Sequence, residues 1–261
     1  MTTEQIIRRI AAAWREARRP VLFTGAGMST ESGLPDFRSA RGLWKTRAES
    51  LATLDALRIM PDEFYFFYQW RIANVLGVEP NNGHKALARL ERAGRLPTII
   101  TQNVDGLHQR AGSRDVIELH GTMSTVSCLD CRAAYPSSVL VPAGETWREE
   151  HAAGKYRHGR ECHCRICGGR LRPDVVLFGE ALPSGAWDRA VDVSRQSDFF
   201  VVIGSSLAVS PANLCPEIAK KSDARLVIIN QEPTPLHGKA DWCIDGSCGP
   251  ALQAIADAMG V

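Results

Sequence analysis

Val21-Leu22-Phe23-Thr24-Gly25-Ala26-Gly27-Met28-Ser29-Thr30-Glu31-Ser32-Gly33-Leu34-Pro35-Asp36-Phe37-Arg38 is the stretch on which the fold turns. Its opening residues, apolar and rich in branched and aromatic side chains, read as a buried strand. Gly25 and Gly27 then allow a sharp turn and a close approach of backbone to ligand. The small polar residues that follow can bind phosphate at the start of a helix. A strand feeding a Gly-x-Gly turn opens a nucleotide-binding βα unit. The usual dinucleotide fingerprint is nevertheless incomplete. Thr30 takes the place of the third glycine, and Lys45-Thr46-Arg47 stand where a ribose-binding acid is expected, about twenty residues on. With no G-K-[ST] string either, an ATP-type phosphate loop is disfavoured.

The totals narrow the class. A chain of 261 residues with 44% apolar content holds one large α/β domain with room for a small insertion. A formal charge of +2 supplies no strong field toward nucleic acid or membrane surfaces. No apolar run is long enough to span a bilayer. Near the N-terminus, Ile6, Ile7, Ile10, Trp14 and Ala17 recur at helical spacing opposite Arg8, Arg9, Arg15 and Glu16. This pattern is read as an integral first helix, in preference to a presequence, because it runs directly into the strand at Val21. Eight cysteines without a secretion signal point to metal binding and reduced thiols, and to a cytoplasmic location.

Further strands are expected at 98–101, 116–119, 175–180, 199–203, 226–229 and 241–244, alternating with helices at 62–76, from an opening at Pro80–His84 to a stop at Gly94, at 184–196 and from Pro250 to Gly260. The segment between Arg38 and Pro61 reads as a flexible loop over the cofactor, with Gly42-Leu43-Trp44 its strongest feature. Strand ends deliver Gly25/Gly27, Asn103/Asp105, His120, Gly204/Ser205/Ser206 and Asn230 to one crevice, as a parallel sheet with a switch point requires. Spacing alone thus implies a nucleotide-sized ligand with a histidine nearby. His84 reads as a structural helix-start residue.

Cys128-x-x-Cys131 and Cys164-x-x-Cys167 can close a tetrahedron of thiolates around zinc. Cys162 offers a substitute ligand one step away, but Cys164 and Cys167 mirror the first pair. Four thiolates leave no open position, so this zinc is expected to be structural. The charged stretch from Gly144 to Gly159 reads as an exposed excursion within the module.

The strings GAGMSTESGLPDFRS, TQNVDGLHQRAG, ELHG, the four-cysteine module, LRPDVVLFGE, GSSLAV and the NQE turn, in that order, resemble the sirtuins, NAD-dependent protein-lysine deacylases. The resemblance covers essentially the whole chain. It implies one catalytic domain over 1–261: a Rossmann-like doubly wound parallel sheet from 1–122 and 172–261, a zinc-ribbon module at 123–171, and a helical or looped insertion near 39–80. It further implies attack of the acyl oxygen on the nicotinamide ribose, release of nicotinamide, and an acyl group left on ADP-ribose.

Roles follow by motif. His120 matches the general base, and Asn103 and Asp105 match the groups that hold the nicotinamide end and its ribose. Gly25, Ala26, Gly27, Ser29, Thr30, Asp36, Phe37, Arg38, Trp44, Gln102 and Val104 match the NAD-binding segments, with Phe37 shielding the reactive face. Gly204, Ser205, Ser206, Asn230, Gln231 and Cys248 fall on the adenosine side. Val176, Phe178, Gly179 and Glu180 match the segment that pairs with the substrate peptide. Tyr68-x-x-Arg71, followed by Glu79-Pro80-Asn81-x-Gly83-His84, is similar to the class III branch, in which such a pair binds the carboxylate of succinyl- or malonyl-lysine. Ala40 falls where that branch keeps a small residue. Pro35-Asp36-Phe37-Arg38 is instead the spelling of deacetylase branches, so mixed acetyl and succinyl activity is the expectation, with a plain deacetylase and a mono-ADP-ribosyltransferase as alternatives. The implied partners are NAD, one zinc ion and acylated-lysine proteins or peptides, with no nucleic-acid or membrane partner, and the enzyme itself is expected to be a monomer.

Overall fold

In the computed structural model, which describes residues 1–40 and 42–261, the N-terminal stripe forms α1 (Thr3–Glu16), capped by Thr2 and Gln5 bonding reciprocally. Ile10 and Trp14 are buried, and the Trp14 indole N–H donates to the Arg95 carbonyl at 2.8 Å. The chain then enters β1 (Pro20–Thr24), buried at every position. A tight helix of about two turns, Ala26–Ser32, starts directly after Gly25, and Gly33 ends it at φ +94°.

The segment expected as a flexible loop is more ordered than that reading. It contains short turns at Leu43–Lys45 and Glu49–Ala52 and the helix α2 (Leu54–Ile59). Leu43, Ala52, Ala56 and Leu57 are buried there. These apolar residues are too irregularly spaced to give a helical period, yet each suits one short turn. α3 (Pro61–Leu76) starts with proline at its first position, where a missing N–H costs nothing. α4 (Asn82–Arg92) is capped by the Asn81 side chain.

β2 (Thr98–Thr101), α5 (Leu107–Ala111) and β3 (Val116–Glu118) complete the first half. A three-stranded antiparallel sheet of β4 (Gly121–Cys128), β5 (Ala134–Pro136) and β6 (Leu171–Val175) follows, in the order β5-β4-β6, with α6 (Thr146–Ala152) between its last two strands. The second half contributes α7 (Ser184–Gln196), β7 (Phe199–Ile203), α8 (Leu214–Lys221), β8 (Arg225–Asn230), β9 (Trp242–Asp245) and α9 (Cys248–Met259). α9 starts two residues before the expected Pro250 and ends at Gly260 as read.

The main sheet is parallel in the order β3-β2-β1-β7-β8-β9. Its residues alternate between two cores. Leu22, Ile99, Val201 and Val227 pack with α1, α4 and α9, whereas Phe23, Ile100, Phe200 and Ile228 pack toward α7 and α8. The order reverses between β1 and β7, which opens the crevice at their carboxyl ends.

One expected strand is corrected. The apolar run at 175–180 was expected to rejoin the main sheet, but β6 ends at Val175 and pairs antiparallel with β4. Beyond it, Phe178 makes a single bridge to Thr53. Burial explains the difference: Leu171, Pro173 and Val175 turn inward while Arg172 and Asp174 turn outward, the pattern of a half-covered strand. The small sheet therefore reaches past 123–171 at both ends.

Candidate active site

The two halves of the sheet meet through glycine. The Gly25 amide donates to the Ile203 carbonyl at 3.0 Å and the Gly27 amide to the Gly204 carbonyl at 2.8 Å. A Cβ on Gly204, which sits at φ +60°, would lie 2.3 Å from the Met28 nitrogen. Only backbone fits between these loops, so the two turns close directly on each other at the floor of the crevice.

Asn103 and Asp105 leave β2 into the same space and are nearly fully buried. The Asn103 amide donates to the Gly25 carbonyl at 3.1 Å and to Ser29 Oγ at 3.2 Å, and Ser29 donates to Asp105 at 2.7 Å. Burial pushes the Asp105 carboxyl above its ordinary value, opposed by the bonds from the Leu107 amide and Ser29. Beneath them, His108 bonds Thr24 at 2.9 Å and stacks edge-on against His84, whose ring is wholly buried.

His120 lies between β3 and β4, and the next residue, Gly121, stands at φ +71° with no room for a Cβ beside the Asp174 carbonyl. Nδ1 of His120 is 3.0 Å from the Gln102 carbonyl. A carbonyl only accepts, so Nδ1 carries the proton and Nε2 keeps a free lone pair. Burial lowers the His120 pKa, the Gln102 carbonyl opposes this, and Arg38 adds to it. The imidazole is thus held neutral, ready to take a proton.

These groups line one cavity of about 340 Å³. Every NAD-binding candidate named from the sequence lies on its wall, as do His120, Tyr68, Arg71, Val176, Phe178, Gly179 and Glu180. Ala40 does not: it is exposed and stands outside the lining, because the chain turns at Asp36 and carries it away from the wall. Trp70, Asn74, Met123 and the Val209–Pro211 turn also line the cavity and were not singled out. Of these, Asn74 carried a signal, one helical turn beyond Arg71.

Arg71 is the cavity's unusual cation. Its guanidinium stands 5.3 Å from the ring centre of Phe37, 5.5 Å from Phe67 and 5.6 Å from Tyr68. Among the described residues it forms no ion pair. Burial lowers its pKa, and burial raises that of the Tyr68 phenol beside it.

The sulfurs of Cys128, Cys131, Cys164 and Cys167 lie within 4.8 Å of one another. Two of these distances are 3.5 and 3.6 Å, close to the roughly 3.8 Å between thiolates on a tetrahedral zinc. The Ile166 and Gly169 amides point at Cys164 and Cys167, each at 3.4 Å, as expected of donors that orient thiolate ligands. The donor set fits a closed structural zinc site. Cys162 is outside it, buried against Gln69 and Glu161.

Comparison with known proteins agrees with this geometry. A model described as the Sir2 family matches residues 25–211. The chain is 51% identical over 236 residues to NAD-dependent protein deacetylase 1 of Geobacillus kaustophilus, spanning 89% of this chain and 90% of that protein. It is 42% identical over 253 residues to NAD-dependent protein deacylase 2 of Pyrobaculum aerophilum, spanning 95% and 94%. A solved complex described as Sir2-p53 peptide-NAD+ superposes with a TM-score of 0.84 at 33% identity, covering 97% of this chain and 98% of that one. A crevice built by touching glycines, a neutral histidine at its wall and kinship over nearly the whole length lead to one conclusion: the chain belongs to the Sir2 family.

Proposed function

We propose that this NAD-dependent protein deacetylase or deacylase removes the carboxylated succinyl and malonyl groups from lysine as well as acetyl. The observation that carries the proposal is Arg71, a guanidinium on the cavity wall that forms no ion pair among the described residues and is hydrogen-bonded to the Tyr68 phenol beside it. Asp105 offsets this half-buried cation only through space, with no direct ion pair between them, and a carboxylate on the substrate would satisfy it with two parallel hydrogen bonds.

In this reading the turns at Gly25–Gly27 and Gly204–Ser206 receive the diphosphate, while Ser205, Asn230 and their neighbours hold the adenosine side. Asn103 and Asp105 fix the nicotinamide end, and Phe37 keeps water from it. NAD, when bound, supplies the ribose carbon that takes the acyl oxygen. His120 Nε2 accepts the proton of a ribose hydroxyl, with Nδ1 held on the Gln102 carbonyl. The peptide lies along Val176–Glu180 and directs its acyl-lysine inward.

The deciding experiment is NAD-dependent turnover of one lysine peptide in acetylated and succinylated forms, side by side. Succinyl turnover that falls on the order of 100-fold in Arg71→Met supports the clamp; unchanged turnover overturns it. A plain deacetylase is the second reading, favoured by Pro35-Asp36-Phe37-Arg38 and by relatives named as deacetylases.

A further inference from the structure

α3 has two working faces. With 3.6 residues per turn, Tyr68, Arg71 and Val75 fall on the side that lines the cavity, whereas Asp62, Tyr65, Phe66 and Gln69 fall on the opposite side. That opposite side meets the excursion of the zinc module and the residues that follow it. The Tyr65 hydroxyl donates to the Leu171 carbonyl at 2.8 Å, and Phe66 packs against Trp147 and Tyr156. His158 pairs with Asp62, and His151 with Glu63.

Gln69 stands at the centre of this contact and is fully buried. Its carbonyl accepts from the Tyr156 hydroxyl at 2.6 Å, and its amide nitrogen donates to Glu161 Oε1 at 3.3 Å and to Cys162 Sγ at 3.5 Å. Both ends of the amide are thus used, on three partners from a segment that lines none of the cavity. Gln69 directly follows Tyr68 and lies nearly diametrically across the helix from Arg71, about 200° away. Any roll of α3 that moves the Tyr68 phenol or the Arg71 guanidinium must therefore break the Gln69 bonds.

From this juxtaposition we infer that Gln69 and Tyr156 are positioning residues for acyl-group selection: the zinc module's excursion sets the rotation of α3 and thereby where Tyr68 and Arg71 meet the acyl end. The inference rests on the carboxylate-clamp reading. A clamp of two donors depends on angle, because a bidentate guanidinium bond tolerates little rotation. Acetyl-lysine has no such requirement, so it is indifferent to a small roll.

The test is Tyr156→Phe, which removes one oxygen and leaves the ring packed on Phe66, together with Gln69→Met. Michaelis constants are measured for succinyl-peptide, acetyl-peptide and NAD, with thermal melting as the check on folding. The expected result for Tyr156→Phe is a rise of about fivefold in the succinyl-peptide KM, with the acetyl-peptide and NAD values within about twofold of the parent. Equal losses on both peptides, or no change on either, overturn the positioning role. Arg71→Met, run in parallel, separates the two failures. If it abolishes succinyl preference while Tyr156→Phe does not shift it, the clamp stands and the positioning role falls. If Arg71→Met leaves succinyl turnover intact, the clamp itself falls, and the positioning role with it.

Discussion

Arg172 grips Glu180 with both nitrogens, Nη1 to Oε1 at 2.6 Å and Nη2 to Oε2 at 2.9 Å, across the turn that ends the small sheet. The same guanidinium donates to the Val175 carbonyl, and Glu180 accepts from the Leu177 amide at 2.8 Å. The segment proposed to pair with the peptide is therefore held as a closed loop of charge-assisted bonds, and the Arg172 bonds draw the Glu180 carboxyl below its ordinary value. Arg172→Ala is expected to raise the peptide KM about tenfold while leaving the NAD KM near the parent value, measured by steady-state deacylation.

His120 gives the pH prediction. Its pKa is lowered from 6.5, so the imidazole is neutral at pH 7 and becomes charged only below that ordinary value. The acid limb of kcat/KM is expected to have its midpoint below 6.5, and His120→Ala is expected to lose about 10²–10⁴-fold at every pH on the plateau. A limb centred above 6.5 contradicts the assignment.

Stability carries a separate pH signature. Burial pushes His84 from 6.5 down to about 4, and His108 beside it well below 6.5. The unfolded chain binds these protons before the folded one does, so the stability they contribute is present above pH 6.5 and is lost as pH falls toward 4. For His84 the loss by pH 4 amounts to about 3 kcal/mol. Denaturant titrations of His84→Gln between pH 7 and 4 should show a shallower decline than the parent.

Metal analysis distinguishes the cysteines. One zinc per chain is expected in the parent and in Cys162→Ser, because Cys162 lies outside the sulfur cluster. Cys164→Ser is expected to lose the metal and lower the melting temperature, since a closed thiolate site contributes folding free energy directly. Retention of zinc by Cys164→Ser together with loss by Cys162→Ser would exchange the two assignments.

Much of this was legible because it rests on local pattern. β1 and β7 are apolar at almost every position because both faces are covered, and the groups at their ends follow from sheet topology. The paired C-x-x-C strings announced the metal module without reference to the fold. The reading failed where burial was partial. The run at 175–180 looked like a core strand, but Arg172 and Glu180 tie it into a turn beside the small sheet. Ala40 was placed by analogy of position and lies off the cavity wall. Trp147 and Tyr156 were hidden among charges, because two buried anchors in a polar stretch leave no period to detect. The role of Gln69 could not be read either, since its three partners come from residues about ninety positions away.

The bonds from α3 to the excursion also bear on how such enzymes can be re-engineered. Transplanting the helix 61–76 into a related scaffold would carry over the tyrosine and the arginine but not the counterpart that fixes their bearing. The transferable unit is the helix together with residues 144–162, two stretches distant in the chain that must be exchanged as one cassette.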